Sequence, residues 1–538
     1  MLGKNKTVLF LFISVAAVFI IHALYLSTIA EDAFISFRYA KNLAAGNGLV
    51  WNAGETPVEG YTNFLWILIS SIILSAGLNL LISSQVIGLF ASTILLIYVY
   101  LFCKRILGFN KYTSILPSLF LAFSGPFATW ATSGMETNFF TLFVFASFYH
   151  LIFYWQYQKT GSIIFSLFLI MIATLTRPEG FGIFLILVSF HLYHQFKETK
   201  SKGIHSSIIF ILIFYIFPIL IYFFWRYSYF GYILPLTFYA KTGGTVYQWL
   251  RGLKYLFFFS FHFLVPLIPI VLVYLFIKID HIKLSGIFKT KKSNTEINIF
   301  SFKLCTILCL LYTFYIVLVG GDYMTMYRFF VPILPFIYLL IGIVLNSIIK
   351  YSFNTNKQKL LTSTLILVAL GGTVLQSTPL EKILFVKPSI THGEYQGVLT
   401  ERWNTNRLTL IGHFFNKYKN SEEESLATDA IGAISFYSNM KIYGLHGLVD
   451  PYIARKETKI IGKGFPGHEK FALIYILSKQ PKYFMFSREL TEEPLSYPIY
   501  SVEVNKVLKS EYRVVSKWLE DKQNNEAGYF TFLERIDQ

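Results

Sequence analysis

Residues 31–64 read EDAFISFRYAKNLAAGNGLVWNAGETPVEGYTNF, and they follow directly on an apolar run from about Thr7 to Ala30. That run is long enough to cross a bilayer as a helix. It is too long for a signal-peptide core and shows no clear cleavage site, so it reads as an uncleaved membrane span. An acidic pair, Glu31 and Asp32, stands where the span ends. Carboxylates at a membrane exit are costly unless solvated or paired. The pair is either an interfacial mark of the helix end or a catalytic base facing an outer cavity.

Outward from this stretch, the whole chain has the same apolar character. Of 538 residues, 54% are hydrophobic and 14% charged, too little polar surface for a soluble protein of this size. Aromatics make up 18%, which suits lipid-facing helices with interfacial belts. The formal charge is +17, from 47 basic and 30 acidic residues. It does not indicate nucleic acid, because the cations sit largely in short loops between apolar runs, where they set topology. Cys103, Cys305 and Cys309 lie in or beside apolar runs, so neither a disulfide framework nor a zinc cluster is available.

Apolar runs recur at about 7–30, 81–103, 112–130, 138–157, 161–176, 180–196, 206–226, 255–277, 301–320, 330–349 and 360–377. They predict an α-helical polytopic membrane protein with about 11 transmembrane helices. The shorter run 63–77 is placed as an interfacial or re-entrant helix. With that placement, the loops carrying Lys104 and Arg105, Lys197 and Lys200, Lys289 and Lys291, and Lys350 all fall on one face. The positive-inside rule makes that face cytoplasmic. The expected division is a membrane module over 1–377, with first outer loop 31–62, and a soluble α/β domain over 378–538 on the outer face. In that domain AISFYS and PKYFMFS read as strands and GHEKFALIYILSKQ as an amphipathic helix.

The stretch 31–64 resembles the first outer loop of the GT-C glycosyltransferase superfamily. It is most similar to the terminal arabinofuranosyltransferase (AftB) family and the related bacterial ZomB-like membrane proteins. Those carry D-D-A-[FY]-I-[ST]-x-R-Y-A-x-N-L-x-x-G-x-G-x-x-[WF]-N followed by V-E-G-Y-T-[NS]-F-L-W. The matching residues are Asp32, Ala33, Phe34, Ile35, Ser36, Arg38, Tyr39, Ala40, Asn42, Leu43, Gly46, Gly48, Trp51 and Asn52, then Val58 to Trp66. SGMETNFF at 133–140, TRPEG at 176–180, LPLTFYAK at 234–241, GGDYMTMYRFFVPILP at 320–335, LHGLVDPYIAR at 445–455 and PGHEK at 466–470 also look like family segments. One departure is Glu31, where the family often has Asp.

The resemblance implies transfer of a sugar, with a pentofuranose as precedent, from a polyprenyl-phosphate donor to an envelope glycan acceptor. The reaction takes place at the outer face of a bacterial cytoplasmic membrane, with inversion. Such chemistry needs a base for the acceptor proton and cations for the leaving phosphate. Asp32 is the candidate base, with Glu31 orienting it or sharing the role. Arg38, Arg177, Lys241 and Arg328 are the candidate phosphate contacts, and Asp322 either pairs with Arg328 or meets the sugar. The competing reading of each is an interfacial snorkelling cation, which weighs more for Arg177 and Lys241 than for Arg38 and Arg328. Glu136 reads better as part of a capped turn, and Glu179 flanks the helix-breaking Pro178. Glu59, Tyr61, His446, Asp450, His468 and Glu469 are assigned to the acceptor or to loops that close over the site, and the tail also holds Asp429. No close His/Cys spacing supports a metal in the tail, and a divalent metal elsewhere is left open.

Two other classes compete. A transporter of lipid-linked sugars would show related halves or charges deep within spans. A non-enzymatic envelope or flagellar-motor protein would not need Asp32 or Arg328.

Overall fold

The computed structural model describes residues 6–199, 202–264, 267–272, 275, 292–352, 356–375, 395–524 and 526–536. Among them, six helices are long and apolar enough to cross a membrane. They are Lys6–Tyr25, Leu80–Ile106, Thr137–Tyr157, His205–Phe230, Glu296–Val319 and Thr325–Lys350. A seventh span is added if the pair Thr113–Phe123 and Gly125–Ala131 counts as one. The chain is a helical polytopic membrane protein with a C-terminal mixed α/β domain.

The number of such helices is smaller than the sequence predicts. The expected continuous span 112–130 is bent by 66° at Ser124, whose backbone is extended. Pro126 lacks an amide hydrogen for the helix ladder, and the turn before it breaks. Thr160–Thr176 has 17 residues, about 25 Å of helix, short of a hydrocarbon core about 30 Å thick. Parts of the expected span 255–277, and the expected boundary at 377/378, lie outside the described residues.

The chain forms two compact units. The first comprises 1–28, 84–225 and 251–398. Its helices Thr137–Tyr157 and Thr160–Thr176 are joined through Gln158 in the left-handed region. Ser147 Oγ donates to Ser166 O at 2.9 Å, and Ser166 Oγ donates back to Ser147 O at 2.8 Å. Small hydroxyl residues let two apolar helices approach closely and satisfy both side chains in the contact.

The second unit comprises 29–83, 226–250 and 399–538, so the loop 31–62 groups with the C-terminal domain. Its sheet contains β1 (Ser425–Thr428), β2 (Lys441–Gly444), β3 (Tyr483–Phe484), β4 (Leu490–Thr491), β5 (Tyr512–Asp521) and β6 (Glu526–Arg535). β1 is parallel to β2 on one side and to β3 on the other. β6 runs antiparallel to β5 along one edge and to β3 and β4 in turn along the other. All four residues of β1 are buried, as expected of a central parallel strand covered on both faces.

PKYFMFS yields β3 as expected, but AISFYS is the helix Ala433–Ser438. Its residues pack on the helix Ala33–Ala44, which needs a helical face rather than an alternating one. Asn439, left-handed at φ 55°, ends it. Of the expected amphipathic helix, only Leu473–Ser478 is helical.

The loop 31–62 is welded to this sheet. Ile442 N donates to Asn52 Oδ1 at 2.9 Å, and Trp51 Nε1 and Asn52 Nδ2 donate to Ile442 O. Gly48 sits at φ 81° with Tyr229 Oη 2.7 Å from where a Cβ would stand, so a side chain there would meet both strain and a clash.

Candidate active site

In the second unit, Glu31 and Asp32 open the helix Ala33–Ala44. Asp32 stands at the cap position with helical backbone angles, and its carboxylate does not cap the helix. Glu31 is held firmly. Its Oε1 accepts from Gly432 N at 2.6 Å and Ala433 N at 3.2 Å, and its own amide donates to Glu401 Oε1 at 2.9 Å. A Cβ on Gly432 would lie 2.2 Å from Glu31 O, so the approach requires glycine. Burial, then the neighbouring charges of Asp32 and Glu401, push the Glu31 carboxyl up to about 8 against the pull of the Gly432 amide and Arg488.

Around this pair stand groups from several loops of the same unit. The charge of Asp32 reaches His468, and that of Arg488 reaches Glu31, His446 and His468. The two imidazoles are edge to face with centroids 4.8 Å apart. Burial pulls both below the usual histidine range, His446 to about 4, so both are neutral at pH 7. The Lys241 charge also acts on His468, and its Cε is 3.0 Å from where a Cβ on Gly467 would stand. Arg488 donates from Nε and Nη2 to Asp429 Oδ2, at 3.2 and 2.8 Å. The set Glu31, Asp32, Lys241, His446 and His468, drawn from distant parts of the sequence, is therefore gathered in one place.

Other candidates have structural tasks. Arg38 gives four N–H bonds, to Trp51 O, Ser435 O, Met440 O and Asn52 Oδ1, at 2.6–2.9 Å. A guanidinium has five N–H donors, so Arg38 has no paired fork for a phosphate and instead fastens the loop to the domain. Glu59 is clasped by Arg226 through two bonds of 2.8 and 2.5 Å, both side chains buried. Asp450 caps the helix Pro451–Arg455 and pairs with Lys479 at 2.7 Å. Glu469 Oε1 accepts from Gly462 N and Gly464 N and fixes its own loop. Tyr61 is buried edge-on against Tyr39 and Phe230.

The remaining candidates lie in the first unit. Arg177 is extended ahead of Pro178, as the residue before a proline tends to be. Its Nη1 bonds Glu136 at 2.9 Å, and its Nη2 and Nε bond the two oxygens of Glu179 at 2.8 and 3.3 Å. Arg328 Nε is 2.7 Å from Asp322 Oδ2. Both guanidiniums flank the Phe329 ring, at 5.7 and 5.2 Å from its centroid. The preceding Met326 and Tyr327 are both left-handed, at φ 55° and 45°, a costly pair of conformations for residues with side chains. Among the described residues, no group of three His, Cys, Asp or Glu side chains is placed to hold a metal ion.

Glu401 and Arg488 escaped sequence reading. LTERW and FSREL carry no local signature, and only the fold brings them to Glu31.

Comparison with solved structures finds the same architecture. The fold resembles that of ArnT. The crystal structure of ArnT from Cupriavidus metallidurans in the apo state matches over 98% of this chain and 97% of its own, with TM-score 0.53 and 11% identity. The same protein bound to undecaprenyl phosphate matches over 81% of this chain and 85% of its own, again with TM-score 0.53 and 11% identity. At that identity the likeness is one of fold. Residues 394–533 match a family model described as a domain of unknown function, DUF8728. No curated protein matches the chain.

Proposed function

We propose that this chain is a GT-C type membrane glycosyltransferase that moves a sugar from a polyprenyl-phosphate donor to an envelope glycan, with Asp32 as general base. The ArnT-like fold supports the reaction class, and the undecaprenyl phosphate bound by ArnT supports the carrier. The observation that carries the assignment is the Glu31–Asp32 pair. Glu31 is fixed by two backbone amides and its carboxyl is pushed up to about 8 by burial and then by the charge of Asp32, the carboxylate beside it that opens the helix Ala33–Ala44 without capping it.

In this reading Asp32 takes the proton of the acceptor hydroxyl as its oxygen attacks the anomeric carbon. The bond from that carbon to the phosphate oxygen breaks on the opposite face, the configuration inverts, and polyprenyl phosphate leaves. Neutral His468 offers a hydrogen-bonding group beside Asp32, and Lys241 lends positive charge to the leaving phosphate. The C-terminal domain lies on the outer face with the site, and the sugar follows the pentofuranose precedent of the arabinofuranosyltransferase-like sequences. Glu136, Glu179, Arg177, Asp322 and Arg328 form closed ion sets that shape the first unit.

The test is transfer by purified protein in nanodiscs, offered a panel of polyprenyl-phosphate sugars and envelope acceptors. Wild type should transfer one of them and folded Asp32→Asn none. Near-normal turnover by Asp32→Asn would remove Asp32 from the role of base.

A further inference from the structure

The C-terminal sheet has a feature that the loop motif does not account for. Its three parallel strands lie in the order β2-β1-β3. The chain leaves β1 through the helix Ala433–Ser438 to β2 on one side, then returns to lay β3 on the other. Connections therefore diverge between β1 and β3, the strand order at which an open sheet leaves room for a crevice past the carboxyl ends. In open α/β sheets ligands bind at that point.

Here the residues just past those ends are chemically distinctive. Asp429 directly follows β1, His446 comes two residues after β2, and Arg488 lies four after β3. Asp429 and Arg488 join across the β1/β3 divergence through the Nε and Nη2 bonds to one carboxylate oxygen. Nη1 takes no part in those bonds, and the Arg488 side chain is 38% exposed. A guanidinium braced along one edge and open along the other is preorganised for an anion. The same Arg488 charge acts on Glu31 and on both histidines, so the crevice adjoins the acid pair.

We infer that this crevice is a binding site for the phosphate of the glycosyl carrier, with Arg488 as the contacting cation and Asp429 as its brace. The inference rests on the proposed glycosyltransferase reading and supplies the cationic fork that Arg38, occupied by carbonyls, does not.

The test measures binding of undecaprenyl phosphate to the full chain in nanodiscs of zwitterionic lipid, with undecaprenol as the control lacking phosphate. Wild type, R488Q, R488K and D429N are compared, each checked for an unchanged thermal midpoint. R488Q should weaken undecaprenyl phosphate binding at least tenfold and leave undecaprenol binding unchanged. R488K should fall between, because it keeps the charge and loses the fork, and it decides the matter if R488Q does not fold. D429N should weaken binding less than R488Q. Inorganic phosphate should displace the carrier from wild type at lower concentration than from R488K. Equal carrier affinity in wild type, R488Q and R488K would overturn the inference while leaving the transferase reading in place. A wild type that binds no polyprenyl phosphate would overturn both.

Discussion

The ion set around Arg177 and the acid pair at Glu31 and Asp32 are built from the same residue types and have opposite economies of charge. Arg177 meets Glu136 and Glu179 through three bonds, and all three side chains are nearly sealed from solvent. Around Glu31 the acids outnumber their immediate cations, and its carboxyl is pushed up to about 8 by burial and by Asp32. A closed set stores stability and has little left to offer a substrate. An imbalanced one is costly to fold and is poised to exchange a proton. The difference predicts that substitutions will separate into those that stop chemistry and those that loosen the fold.

The largest effect is expected at Asp32. Removal of a general base lowers turnover by roughly 10²–10⁴-fold. Asp32→Asn should therefore lose sugar transfer by about that factor while its thermal midpoint in detergent stays within error of wild type. A variant that loses midpoint and activity together would place Asp32 with the closed sets.

Arg177 should show the reverse pattern. Arg177→Met leaves Glu136 and Glu179 buried without their cation, which costs about 3–5 kcal/mol in comparable buried pairs. Thermal unfolding in detergent should show a large drop. Adding Glu136→Gln and Glu179→Gln should recover much of it, because the cost lies in the unpaired charges. No recovery in the triple variant would mean that packing against Phe140 and Phe329, not charge, holds this corner.

A third effect is a slope rather than a step. The Glu31 carboxyl is raised from an ordinary 4.5 to about 8, so between those values the folded chain binds more protons than the unfolded chain. Its contribution to stability is complete below about pH 4.5 and is lost as pH rises through about 8. Glu31→Gln removes the titration. Unfolding midpoints followed across that window should decline less steeply in Glu31→Gln than in wild type. Parallel declines would show that Glu31 is ionised throughout.

The same contrast explains what could be read from the sequence. Hydropathy and charge gave a polytopic helical protein with a mixed α/β tail, because lipid imposes long apolar runs. The acid pair was legible because it stands at the end of such a run. Arg38 and Glu59 were legible as motif residues, but their tasks were not. A buried staple to carbonyls and a substrate-facing cation look identical until the acceptors Ser435 and Met440, some 400 positions away, are in place. AISFYS carries the β-favouring residues Ile, Phe and Tyr yet folds as a helix, since its contact with Ala33–Ala44 overrides local propensity. Arg488 had no signal at all. Its significance comes from its position past β3, which is a property of strand order.

The smallest effect sharpens the contrast from the neutral side. Ser147 and Ser166 exchange hydroxyl-to-carbonyl bonds between two apolar helices, with neither charge nor substrate involved. Polar contacts of this kind between membrane helices average about 0.6 kcal/mol. Ser147→Ala removes the bond that Ser147 Oγ donates, leaves no buried donor behind and empties only the volume of one hydroxyl. Its midpoint should fall only slightly, and transfer should be unchanged. Ser147→Val, which keeps the contact apolar but adds volume where the helices are closest, should cost more than the alanine variant. If the alanine variant instead lost as much as Arg177→Met, the hydroxyl pair and not the ion set would be what fixes these helices. The division between charges that hold the fold and charges that serve the reaction would then need a third, uncharged class to account for stability in the first unit.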